Sequence, residues 1–187
     1  LSRISISLAG VIESNISFKF EQVSNDTYLR VFEEYMSNSI PKFRNLSTIN
    51  NKISLSLDHR NYDLSSGFIA YEKLRGKDSD RYQYVLPYYN FNTVLGDKFF
   101  NGSISFNSSG SNKLKDTNNL TSKITNNIDY TSTSYINSLG LNSNYNLYLK
   151  NHNSIGRKSK TKSSPDIEVV SLFEANSSWP LLKKETN

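Results

Sequence analysis

Apolar side chains fall on every second position in one segment of this chain after another. Between Thr48 and Asp58, Ile49, Asn51, Ile53, Leu55 and Leu57 oppose Asn50, Lys52, Ser54, Ser56 and Asp58. Successive side chains of a strand point to opposite faces, so this spacing gives one largely apolar and one polar face. A long hairpin over Tyr82–Ser109 carries the same pattern. Tyr82, Tyr84, Leu86 and Tyr88 alternate along its first strand, and Ile104 and Phe106 alternate with Ser103, Ser105 and Asn107 along its second. Between them Leu95-Gly96-Asp97-Lys98 offers turn chemistry. Pro87 lacks a ladder donor, so a bulge, bend or strand break is expected there.

The unit repeats along the chain. Ile4, Ile6 and Leu8 alternate before a turn at Gly10, and Ile16, Phe18 and Phe20 alternate after it. Ser24-Asn25-Asp26-Thr27 reads as a turn. Tyr28–Met36 reads as a blurred strand or a short helix, since Leu29, Phe32 and Met36 also sit at helical spacing. A loop is expected over Asn38–Asn45, which holds Pro41, and polar turns over His59–Asp63 and Gly76–Asp80. Strands are expected over Leu64–Leu74, Leu120–Thr133, Leu141–Lys150 and Pro165–Pro180, with loops at Gly110–Asn119 and Asn151–Ser164. The reading is all-β, with about nine or ten antiparallel up-and-down strands.

Two architectures accommodate such a chain. Only 36% of its 187 residues are apolar, and 24 Asn and 31 Ser leave enough hydrophobic surface for one buried face per strand. Twelve Tyr and ten Phe argue against disorder, which is poor in aromatics. No run approaches the roughly 18 apolar residues of a membrane helix, so a membrane-spanning form must be a β-barrel. Segments such as Thr48–Asp58 outrun the about 5–6 residues of an average soluble strand. They match the about 9–11 residues that cross an outer membrane at barrel tilt. Lys19, Glu21, Lys52 and Asp58 put charge on the polar faces, as a wet lumen tolerates. Tyrosine at strand ends suits an interfacial girdle, and equally suits tyrosine's strand propensity. A soluble β-sandwich alternates in the same way and stays open. The chain starts at Leu1 inside an alternating segment, so an excerpt of a longer protein is expected, and the missing signal peptide carries no information.

No chemistry of an enzyme emerges. His59 and His152 have no His, Cys or carboxylate at metal-ligand spacing, and His59 reads as a turn residue beside Asp58. The chain has no cysteine, no Gly-x-Ser-x-Gly and no phosphate-cradling glycine loop. No catalytic, cofactor-binding or metal residue is assigned, and none for substrate contact. The run Arg157-Lys158-Ser159-Lys160-Thr161-Lys162 reads as a solvated loop, with phosphate contact as the alternative. It lacks the interleaved aromatics that nucleic-acid stacking needs, and no nucleic-acid partner is expected. The net charge of +5 is mild and favours anionic partners without choosing among them. Asn-x-Ser/Thr triplets such as Asn15-Ile16-Ser17 and Asn25-Asp26-Thr27 follow from the abundance of Asn and Ser.

The order of short motifs is more specific than any one of them. Asp26-Thr27-Tyr28-Leu29-Arg30 follows an alternating strand. Leu86-Pro87 with Tyr88 precedes Leu95-Gly96-Asp97, and Ser178-Trp179-Pro180-Leu181 closes the series. Across nearly the whole chain this series resembles the barrel domain of the LptD family, the outer-membrane LPS-assembly (organic solvent tolerance) proteins. The resemblance implies that residues 1–187 are an interior part of a transmembrane β-barrel in the cell outer membrane of a Gram-negative bacterium. The family's jelly-roll domain and the first and last barrel strands would lie outside it. It implies transport of lipopolysaccharide to the outer leaflet without covalent chemistry and without a cofactor. It further implies an LptE-like plug lipoprotein and periplasmic Lpt bridge proteins as partners. Cysteines that many members pair are absent here. Other outer-membrane porins or receptors remain the neighbouring alternative.

Overall fold

The computed structural model describes residues 2–5, 10–25, 27, 31–32, 48–74, 81–99, 101–116 and 118–179. These form one open antiparallel sheet. Its strands are β1 (Ser2–Ser5), β2 (Val11–Lys19), β3 (Thr48–His59), β4 (Tyr62–Lys73) and β5 (Tyr82–Phe99). They continue as β6 (Gly102–Lys115), β7 (Asn119–Ser132), the short β8 (Tyr135–Ile136), β9 (Asn142–Arg157) and β10 (Asp166–Ser178). Each strand pairs with its neighbours in chain order, except that β8 sits beside β9 and lets β7 pair with β9 directly. This is the up-and-down topology expected from the alternating segments. β1 and β10 are the two edges.

Register shows why the alternation matters. Cα partners on antiparallel strands share a face. On one face Leu57, Leu64 and Phe91 stand in a row across β3, β4 and β5. Ile104, Tyr130, Leu147 and Phe173 form another across β6, β7, β9 and β10. The opposite face carries rows such as Ser17, Ser54, Gly67, Tyr88 and Ser111. β10 departs from the rule, because Val170 and Leu172 stand on its polar side, opposite Lys150 and Tyr148.

The apolar face is uncovered. Phe68 is 49% exposed, Ile53 50% and Phe173 64%. Among the described residues, the buried hydrophobics are Ile49, Leu74 and Val85. A sandwich buries its inner face against a second sheet, and no second layer exists among the described residues.

Several boundaries differ from the sequence expectation. β5 runs through Leu95–Lys98 to Phe99, and β6 starts at Gly102, so the chain reverses beyond the expected turn. Asn101 takes φ 58, a left-handed conformation that asparagine tolerates. Gly96 lies at a register shift within the pairing to β6, so its glycine signal marks a bulge rather than a turn. Gly110–Asn119 is not a loop, because β6 runs to Lys115 and β7 starts at Asn119, leaving a tight turn with Asp116 at φ 50. The Asn151–Ser164 loop shortens to 158–165, since β9 continues to Arg157.

At Pro87 the expected bulge is present. Register shifts between Val85 and Tyr88 against β6, and between Gly67 and Ile69 against β4, with a cis Leu86-Pro87 peptide. The shift carries a consequence the alternation did not reveal. Tyr82 and Tyr84 share the apolar face with Tyr89 and Phe91, while Tyr88 turns to the polar face. Asn25 Oδ1 accepts from the Thr27 amide and hydroxyl, at 3.1 and 2.9 Å, which accounts for that turn. The expectation for Tyr28–Met36 lies almost wholly outside the described residues, and Pro180-Leu181 and the expectations for Asn38–Asn45 and Gly76–Asp80 lie entirely outside them.

Candidate functional site on the polar face

The polar face is divided by charge along the strands. Near the end that holds the 60–61 and 100–101 turns, Glu13 stands opposite Asp58, which stands opposite Asp63. Toward the other end, Lys19 faces Lys52, and the same row continues through Ile69 and Val85 to Lys113. Like charges set directly opposite are destabilising. Lys19 is relieved by Glu21 at 2.9 Å and by Asn50 Oδ1 at 2.5 Å. Lys52 sits 5.8 Å from the centroid of the Tyr88 ring, a cation–π approach.

A concave site of about 470 Å³ opens beside this row. The register sets its floor: Ile69 pairs with Val85, and Val85 is 7% exposed. Tyr71 and Gln83 are Cα partners and bring a hydroxyl and an amide. Tyr88 also lines it because the Pro87 bulge turns it to this face. Lys73 and Lys113 approach from β4 and β6. Among the described residues no carboxylate pairs with Lys73 or Lys113.

A belt of hydroxyls and amides crosses part of the apolar face. Tyr89 donates to Ser108 Oγ at 3.1 Å, and Ser108 donates to Asn126 Oδ1 at 2.7 Å. Asn126 Nδ2 donates to Asn151 Oδ1 at 3.2 Å, and Asn153 Nδ2 donates to the same oxygen at 2.5 Å. These groups satisfy one another, so the belt crosses an apolar surface without orphaned amides. Beside it the Tyr89 ring lies over Gly110, where any Cβ would collide with the ring. At Gly67, on the polar face, the Ile53 carbonyl oxygen and then the Tyr88 hydroxyl leave no room for a side chain.

Neither histidine joins the concave site. His59 stacks on Tyr62 at 4.4 Å between ring centroids, and its Nδ1 accepts from the Asn61 amide at 3.1 Å. His152 Nδ1 is 2.8 Å from the Thr125 hydroxyl. Among the described residues no three His, Cys, Asp or Glu are grouped to hold a metal. In the basic run, Lys162 donates to Asp166 Oδ1 at 2.9 Å, and this bond, then the attraction of Asp166, raises the lysine above its usual range. Sequence reading marked that run and missed Lys73 and Lys113, which are far apart in the chain and converge only through the pairing of β4, β5 and β6. No helix among the described residues is long and apolar enough to cross a membrane, which says nothing about strands. No family model matches the chain, and no curated protein matches it.

Proposed function

We propose that this chain supplies membrane-crossing strands to an outer-membrane β-barrel that delivers lipopolysaccharide to the outer leaflet. The observation that carries the membrane placement is the uncovered, largely apolar face that runs across β3 to β10, interrupted by the Ser108–Asn126–Asn151 belt, opposite a charged and amide-rich one. In water such a face needs a second layer. In a bilayer, lipid covers it and the polar face lines the lumen. Strand length agrees: β5, β6, β7 and β9 span 18, 14, 14 and 16 residues, enough to cross the about 25 Å apolar band and project beyond it.

The lipopolysaccharide assignment rests on the ordered motifs that resemble LptD. On this reading sugars travel along the wet lumen while acyl chains leave sideways, and a plug lipoprotein and periplasmic bridge proteins assemble with the barrel. The test is depletion of the full-length protein in its host. The expected result is recovery of the protein in the outer-membrane fraction and loss of newly made lipopolysaccharide from the cell surface. Outer-membrane recovery with undisturbed lipopolysaccharide would point to a porin or receptor barrel, and recovery in a soluble fraction would overturn the membrane placement.

A further inference from the structure

We infer that the concave site between β4, β5 and β6 binds an anionic, hydroxyl-bearing ligand of the sugar-phosphate class. Two ammonium groups, Lys73 and Lys113, line one cavity with no carboxylate paired to either among the described residues. An anion in the cavity meets positive charge from two strands. Lys52 adds a third positive charge on the neighbouring lip, held near the Tyr88 ring. An anion alone would need nothing more. Tyr71, Tyr88 and Gln83 also line the cavity, side chains whose polar groups suit a ligand with several hydroxyls. Ile69 and Val85 give an apolar floor against which the flat face of a sugar ring can rest. The volume of about 470 Å³ is that of a small-molecule site.

The inference requires only that the polar face meets water, and it stands apart from the lipopolysaccharide assignment. The experiment uses the full-length protein folded in detergent and titrated calorimetrically with glucose 6-phosphate, inorganic phosphate and glucose. Glucose 6-phosphate is expected to bind at least about tenfold more tightly than either of the others, since each half of the ligand meets its own partners. Lys73→Gln and Lys113→Gln are each expected to weaken it about tenfold. Lys150→Gln, on the same face outside the cavity, should leave it unchanged. Retained heat-modifiability on gels confirms that the variants are folded. Three outcomes would overturn the inference. Glucose 6-phosphate fails to bind the folded protein, inorganic phosphate matches it, or Lys150→Gln weakens binding as much as the cavity variants do.

Discussion

Phe106→Lys and Ser105→Lys place the same charge on adjacent residues of β6, on opposite faces of the sheet. Phe106 has Thr93 and Ile128 as its register partners, and its ring lies 6.3 Å from that of Phe91. No carboxylate stands beside it on that face to meet an ammonium group. A lysine facing lipid near the bilayer midplane costs about 2–4 kcal/mol. Loss of the aromatic pair adds about 0.5–1.5 kcal/mol. Ser105 stands opposite Asp129 across β6 and β7, so a lysine there gains an opposite charge in a wet setting. Its effect should lie within about 1 kcal/mol of zero. The assay is urea-dependent folding of the full-length protein into phosphatidylcholine vesicles, followed by gel mobility with and without heating. Phe106→Lys should lose about 2.5–5.5 kcal/mol, the sum of the two costs above, and Ser105→Lys almost nothing. Equal tolerance at both positions would refute the assignment of faces to lipid and lumen.

Other outcomes follow from the same geometry. Asn126→Leu makes the apolar face more apolar, yet should destabilise the fold by about 1–3 kcal/mol in the same vesicle assay, because Ser108 and Asn151 lose a partner. Gly110→Val forces the Tyr89 ring aside and should cost about 1–3 kcal/mol, with Tyr89→Ala restoring part of the loss when combined with it. Lys162→Met should make the 158–165 turn more susceptible to protease at neutral pH. The raised lysine value places its contribution below that value, so the difference should close as pH climbs past the ordinary lysine range.

Alternation made the faces of most strands legible, because a two-residue period needs no knowledge of partners. Leu147 and Leu149 against Asn146 and Tyr148 is one such case, and the register places them as the period demands. The pattern fails where the period slips. Tyr82, Tyr84 and Tyr88 look alike in the sequence, but the bulge at Pro87 sends Tyr88 to the other face. Residues 110–115 are polar enough to read as loop, yet β5 and β7 pair them on both sides and override their weak strand propensity. The concave site was illegible for a related reason. Lys73 and Lys113 are ordinary polar-face lysines until the sheet register brings them together around Val85.

The central claim is that lipid covers one face of this sheet and water the other. The chain contains no cysteine, so single cysteines can be placed along β7 and β9 of a full-length protein freed of any others, and labelled with a fluorophore. Nitroxide-bearing lipids then report which labels touch acyl chains. Quenching is expected at positions 124, 128, 147 and 149, with little at 125, 127, 146 and 148, which the register places on the opposite face. Equal quenching on both faces, or none at either, would contradict the account.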